Sequence, residues 1–378
     1  MGLTTAPLAS FFPVAQPEAA MQAALQLAHH AIGLSDPNPR VGCVIVDSAG
    51  RLLGQGHTQA AGGPHAEVMA LQDAEARGED VRAATAYVTL EPCAHHGRTP
   101  PCCDALVRAG LQRVVVALED PNPLVAGQGL ARLRAAGIDV EVGPCAAEAA
   151  ELNIGFLTRM RTGRPFVRLK WAASLDGRTA HPDGHSQWIT GPAAREDTQR
   201  WRRRASALLT GIGTARADNP RLNVRLPIAK QPLRVLLDAR LDLSPDANLL
   251  HAPGALRVFH GLEADAQRAQ SLRDAGAQLE SMALDAQGRL PVMPVLAQLG
   301  ALGMNEVHVE AGARLNGSFF EANAIDEVLL YVAPRILGAG LPCLETLRPS
   351  PLDDAGRWHW MDVHPVGDDL RLRLRPRR

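Results

Sequence analysis

His65-Ala66-Glu67, Glu91-Pro92-Cys93 and Thr99-Pro100-Pro101-Cys102 stand close together in the chain, and these residue types in this order match a hydrolytic zinc site. Three protein ligands around zinc leave a fourth position open for water, whereas a structural site closes the tetrahedron with protein. His65, Cys93 and Cys102 supply the three ligands. Zinc brings the pKa of a bound water down to about 7, and an unligated carboxylate beside it can carry protons. Glu67 is placed for that role. A closed four-ligand site is the competing reading, because Cys103, His95 and His96 are near enough in sequence to supply a fourth ligand.

Local sequence orients these groups. Gly62-Gly63-Pro64 opens a helix that continues through Val68, Met69 and Leu71, so His65 and Glu67 fall in its first turn. A metal lying off the helix end can be approached by both. Pro100-Pro101 opens a second helix over 102–108 that stops at Gly110, and it places Cys102 where the helix dipole favours thiolate.

Working outward, Met21, Ala24, Leu25, Ala28 and Ile32 recur at helical spacing, and Asp36-Pro37-Asn38-Pro39 ends that helix. Residues 41–47 and 52–57 read as paired strands. Strands at 87–90, 113–118 and 138–142, with a helix near 130–136, complete a three-layer α/β/α plan. Ligands in such sheets sit at strand ends, so Asn38 and His57 are candidates to line the pocket.

The chain has 378 residues, enough for two domains with separate cores. With 39 basic and 40 acidic side chains and 4% aromatic residues, it lacks both the charge footprint and the stacking platforms of a nucleic-acid binder. Six cysteines, two of them adjacent and two at metal spacing, point to a reducing cytoplasm instead of a disulfide framework. Residues 1–16 carry no Lys or Arg and read as a loose extension; no apolar run approaches the ~20 residues of a membrane span.

Helical patterning over 146–161 ends at Thr162-Gly163-Arg164-Pro165, which predicts a first domain over 17–161 and a second over 162–378. In the second, a strand at 306–310 leads into the turn 311–318 and a helix through 322, a geometry that offers backbone N–H groups to a phosphate. Trp201-Arg202-Arg203-Arg204 reads as a solvated helix face for at least two of its arginines. Leu370 to Arg375 alternates as a basic edge strand protected against pairing.

His-x-Glu followed by Pro-Cys and a second Cys resembles the signature of zinc-dependent cytidine-type deaminases. Here, however, eight residues separate Cys93 from Cys102 instead of two. The longer form, Glu-Pro-Cys-x-His-x-Gly-Arg-Thr-Pro-Pro-Cys, resembles the deaminase half of the bifunctional riboflavin-biosynthesis deaminase/reductase family. Leu169-Lys170-Trp171-Ala172-Ala173-Ser174-Leu175-Asp176-Gly177 and Ser186-Gln187-Trp188-Ile189-Thr190 are similar to the start of that family's dihydrofolate-reductase-like domain.

The resemblance implies zinc and NADPH as cofactors and a small pyrimidine ribose-phosphate as substrate. It places Asn38 and His57 against the pyrimidine. In the second domain it sets NADPH against Ala172, Trp188, Thr214, Asp218 and Ala239, with its phosphates over Gly312, Ala313, Arg314, Leu315, Asn316, Gly317 and Ser318. Substrate there would meet Ser186, Arg202, Leu222, Arg225 and Glu310. The implied activity is hydrolytic deamination of a diaminopyrimidinone followed by reduction of its ribosyl chain, in a homo-oligomer joined through the reductase-like domain. The alternative is another nucleobase deaminase carrying an unrelated second domain.

Overall fold

Strand Gly42–Val46 is buried along its whole length and lies inside a five-stranded sheet. Leu52–His57 flanks it at the sheet edge, and Thr85–Val88, Arg113–Val116 and Asp139–Val142 follow on the other side. The first two pairings are antiparallel and the last two parallel. The computed structural model describes residues 11–12, 17–94, 100–122, 126–346 and 358–377, and contacts divide the chain into two units, Met1–Gly163 and Arg164–Arg378. No helix among the described residues is long and apolar enough to cross a membrane.

Strand side chains alternate between faces with a period of two, and both faces of this sheet are covered. Cys43, Ile45, Ala86, Val88, Val114 and Val116 pack with helices Ala66–Ala76, Cys102–Arg108, Gln128–Ala135 and Ile154–Thr162. Val44, Val46, Tyr87 and Val115 pack on the opposite side with helices Pro17–Ala28 and Ala146–Leu152. These are the three expected layers.

Two glycines seat the helix that matters most. A Cβ at Gly54 would stand 2.2 Å from the Ala70 carbonyl oxygen, and one at Gly56 would stand 2.6 Å from that of Ala66. Only glycine lets Ala66–Ala76 lie this close on the strand.

The helical stretch expected over 146–161 is broken in two at Asn153, whose side chain accepts from Arg40 N at 2.8 Å and donates to Arg40 O at 2.9 Å. A distant partner captured that amide, and periodicity within the segment carries no sign of it. Of the expected loose extension, only residues 11 and 12 are among those described. Phe12 is buried and donates its N–H to Gly50 O at 2.7 Å.

The second unit holds nine strands in the order Gln278–Met282, Leu256–Gly261, Leu233–Leu237, Ala207–Gly211, Glu306–Val309, Phe166–Ser174, Glu327–Ala333, Asp369–Pro376 and Trp358–Val366. The first seven run parallel, and the last two are antiparallel additions. Carboxyl ends of neighbouring parallel strands are where open α/β sheets take ligands. Thr214, Ala239 and Glu310 all follow such ends.

Three sequence expectations need correction here. Asp369–Pro376 is an interior strand, and Trp358–Val366 forms the edge. Its arginines are ion-paired: Arg371 with Asp197 and Asp362, and Arg373 and Arg375 with Glu327. Alternation reveals a half-buried strand but not its neighbours, so paired arginines passed for an edge guard. Secondly, Arg202 and Arg204 point inward to Glu310 and Glu306, because their partners come from a strand a hundred residues away. Thirdly, the helix after strand Glu306–Val309 already begins at Ala313, so Asn316 to Ser318 lie within the helix instead of in a loop.

Candidate active sites

His65 caps helix Ala66–Ala76 in an extended conformation, and Glu67 follows in the first turn. Cys93 lies beyond strand Thr85–Val88, and Cys102 is the first residue of helix Cys102–Arg108. The His65 Nδ1 stands 3.3 Å from Cys102 Sγ and 3.7 Å from Cys93 Sγ. One ligand atom from each of the three lies within 4.8 Å of the others. Zinc bonds of ~2.0–2.3 Å in a tetrahedron separate nitrogen from sulfur by about 3.6 Å, so this donor set fits the ion.

The electrostatics agree. The Cys102 thiol donating to Cys93, together with the His65 contact, holds Cys93 down to about 4, and the same pairing plus burial raises Cys102. Glu67 is 3% exposed; burial first, then the Cys93 charge, pushes its carboxyl up to about 7. A buried carboxylate outside the ligand set, next to it, is suited to accept and return a proton.

Cys103 does not join the cluster. Its side chain packs in the core and burial pushes its thiol up to about 11. His95 and His96, the other candidates for a fourth ligand, lie outside the described residues. Asn38 is half-buried in the turn before strand Gly42–Val46, and His57 ends its partner strand, opposite Gly42. His57 packs edge-on against His30, with ring centroids 5.4 Å apart. Burial first, then His30, lowers its pKa and keeps the ring neutral.

Glu91 is the residue that sequence reading left without a role. Its buried carboxylate accepts backbone N–H bonds from Asp120 (3.1 Å), Gly127 (3.0 Å), Gly129 (2.9 Å) and Leu130 (3.3 Å). It thereby fixes the start of helix Gln128–Ala135 to the segment that carries Cys93.

In the second unit, Arg202 and Glu310 form a two-pronged pair, Nε to Oε1 at 2.5 Å and Nη2 to Oε2 at 2.9 Å. Burial opposes ionisation of Glu310, but the Arg202 charge and the His308 contact outweigh it and hold the carboxyl well below its usual range. Lys170, quoted from sequence only as part of a motif, belongs to this cluster: burial lowers its pKa, against the charges of Glu310 and Asp218. Asp218 is raised by burial, with Lys170 opposing.

The other expected contacts occupy two settings. Gly312 caps helix Ala313–Glu321 without a side-chain cap, so the first-turn N–H groups of Ala313, Arg314 and Leu315 can meet an anion. Thr214 is near: a Cβ at Gly312 would lie 3.7 Å from its Oγ1. Asn316 and Gly317 are buried, the amide of Asn316 donating to Ala311 O and Cys343 O and Gly317 lying against Glu345 backbone, while Ser318 donates to Arg314 O.

Ala172 is half-buried on strand Phe166–Ser174 and Ala239 half-buried after Leu233–Leu237. Trp188 is 60% exposed, beneath the Arg195 guanidinium. Ser186 is half-buried, Leu222 buried and Arg225 exposed, with Arg225 N bonded to Gln199. Buried Thr210 Oγ1, Trp171 Nε1 and Asp238 Oδ1 have no hydrogen-bond partner among the described residues. All three lie on or just after strands of the sheet whose strand ends lead into Thr214, Ala239 and Glu310, and the polar groups of a bound cofactor would supply the partners they lack.

The first unit matches the family model for the cytidine and deoxycytidylate deaminase zinc-binding region over residues 14–118, and the second matches the RibD C-terminal domain over 165–360. The riboflavin biosynthesis protein RibD of Escherichia coli (strain K12) is 43% identical over 373 residues, covering 95% of this chain and 99% of that protein. RibD of Bacillus amyloliquefaciens is 41% identical over 94% of this chain and 95% of its own.

Among solved structures, Acinetobacter baumannii RibD superposes with a TM-score of 0.87 at 44% identity, covering 96% of this chain and 99% of that one. A deaminase/reductase from Thermotoga maritima gives 0.85 at 34% identity, over 96% of this chain and 99% of its own. Full-length similarity of this order, together with matches of both units to their family models, leads to one assignment: the chain belongs to the RibD family of riboflavin biosynthesis proteins.

Proposed function

We propose that this chain carries out two successive steps of riboflavin biosynthesis, with Glu67 as proton carrier in the first and Glu310 with Arg202 positioning substrate in the second. The enzyme is a zinc-dependent deaminase and an NADPH-dependent reductase in one polypeptide. In the first step water replaces the 2-amino group of 2,5-diamino-6-(5-phosphoribosylamino)pyrimidin-4(3H)-one, and ammonia leaves. The observation that carries this reading is the His65, Cys93 and Cys102 cluster with buried Glu67 outside it.

Zinc held by His65, Cys93 and Cys102 supplies the Lewis acidity that makes water reactive near neutral pH. Glu67 takes the proton from that water and delivers it to the departing nitrogen. Asn38 and neutral His57 hydrogen-bond the pyrimidine and set the face it presents.

In the second step bound NADPH would supply the hydride for C1′ of the ribose, and with a proton on the ring oxygen, whose bond to C1′ breaks, the sugar opens to a ribityl chain. Ala172, Trp188, Thr214, Asp218 and Ala239 hold the cofactor, with its phosphates over the helix start at 312–315. Ser186, Arg202, Leu222, Arg225 and Glu310 hold the uracil and its ribose phosphate; Arg suits the phosphate because its planar fork binds two oxygens at once. The domains serving the two steps span 17–161 and 162–378.

Copies of the chain associate through the second unit. Trp358–Val366 is an edge strand with Trp360 64% and Val363 56% exposed, and an apolar edge of this kind favours pairing with another strand. The near-neutral charge speaks against nucleic acid as partner. The cytoplasm is the matching compartment, because Cys93 and Cys102 must remain reduced to bind metal.

The test is ammonia release from the diaminopyrimidine by zinc-loaded protein without NADPH. The reading requires ammonia in proportion to substrate and none from zinc-stripped protein; a zinc-loaded enzyme that releases none refutes it.

A further inference from the structure

Strand Glu306–Val309 and the residue after it place Glu306, His308 and Glu310 on one face, since side chains alternate along a strand. Glu306 and Glu310 both have arginine partners: Arg168 and Arg204 for the first, Arg202 for the second. His308, between them, has none. It is 0% exposed, and neither ring nitrogen has a hydrogen-bond partner among the described residues. Glu310 Oε1 lies 3.5 Å from His308 Nε2, at the long limit of a hydrogen bond, so the two groups touch without a well-formed bond.

A fully buried imidazole with an unmade bond is costly, so its retention calls for an explanation. Its surroundings define its state. Burial first lowers the His308 pKa, and Arg168 and Arg202 oppose its protonation, while Glu310 favours it. The ring is therefore neutral, and its single N–H faces the Glu310 carboxylate when carried on Nε2.

We propose that His308 is a positioning residue for the reductase step, holding the Glu310 carboxylate from the sheet side when Arg202 turns to substrate. This rests on the reading above that Arg202 and Glu310 both meet substrate. In the free protein the Arg202 fork occupies both oxygens of Glu310. A substrate phosphate or hydroxyl that takes up the fork releases one oxygen, and a small rotation of the carboxylate closes the gap to Nε2. His308 is anchored on a central strand, whereas Arg202 sits on a long side chain, so the imidazole is the partner that stays fixed.

The experiment uses the full-length zinc-loaded protein and follows NADPH oxidation with 5-amino-6-(5-phosphoribosylamino)uracil across pH. His308→Leu removes the donor, and His308→Gln keeps an N–H at the Nε2 position. The leucine variant is expected to lose roughly 3- to 10-fold in kcat, the worth of one hydrogen bond, with the KM for NADPH unchanged. The acid limb of its kcat profile moves to higher pH, because a carboxylate that loses a donor binds its proton more tightly.

His308→Gln regains most of both. An unchanged leucine variant overturns the proposal, and so does an equal loss in both variants with no movement of the acid limb, which is the signature of packing alone. Should the leucine variant not fold, His308→Asn, whose amide is too short to reach Glu310, is compared with His308→Gln, and equality between them overturns the proposal. Glu310→Gln runs alongside: undiminished reduction in that variant removes the underlying reading of Glu310 itself.

Discussion

Cys102 N donates to Cys93 Sγ at 3.3 Å, and Cys103 N donates to Cys93 O at 3.2 Å, so two segments joined by eight residues are in direct backbone contact. This contact sets both thiols beside His65 although eight residues separate the two cysteines.

Cys102→Ser is expected to lose zinc and ammonia release while reduction of the deaminated compound continues. A hydroxyl is a far weaker zinc ligand than thiolate. Zinc content after gel filtration, read beside both activities, checks it; full zinc occupancy in the variant contradicts it.

Glu67→Gln keeps the shape of the site and removes its proton carrier. Zinc content and thermal stability should hold, and ammonia release should fall by about 10²- to 10⁴-fold. A loss of zinc together with activity would place Glu67 among the ligands.

Glu91→Ala leaves four backbone N–H groups, those of Asp120, Gly127, Gly129 and Leu130, without their acceptor. The expected cost is roughly 2–5 kcal/mol, seen in the denaturation of the first unit while NADPH-dependent reduction persists. A variant as stable as the parent would show that water replaces the carboxylate fully.

Acid sensitivity of the second unit should follow Glu327. Burial opposes its ionisation, but Arg168, Arg373 and Arg375 prevail and hold it at about 2. Its unfolded pKa is about 4.3, so the folded state binds the proton less tightly than the unfolded state. The resulting stability, roughly 3 kcal/mol, is present above the unfolded value and is lost as pH falls from about 4 toward 2. Glu327→Gln should therefore be less stable at neutral pH, because Arg168 is left buried with one partner fewer, and its stability should change less over that acid range. Urea titrations at both pH values measure it.

The positions of His65, Glu67 and Cys102 were legible because each lies at a helix start marked by proline, where local sequence sets geometry, whereas Cys93 follows a strand and was legible through its Glu-Pro-Cys motif. Strand positions in the first sheet were legible for a similar reason, through alternation and the turns between them. What escaped depends on distant partners. Asn153 splits a helix because Arg40 engages its amide, and Glu91 acts through a loop some thirty residues on. Arg204 is paired with Glu306, and Arg373 and Arg375 are held by Glu327, with Arg373 over Trp201; each of these pairings joins residues far apart in sequence.

The most direct test of two chemistries in one chain follows ammonia release and NADPH oxidation together on the diaminopyrimidine substrate, in the parent protein and in Glu67→Gln. The account predicts that the parent releases ammonia before it consumes NADPH, that Glu67→Gln does neither, and that adding the deaminated uracil restores NADPH oxidation in the variant. NADPH oxidation by Glu67→Gln on the diaminopyrimidine itself, without ammonia, would contradict the order of the two steps.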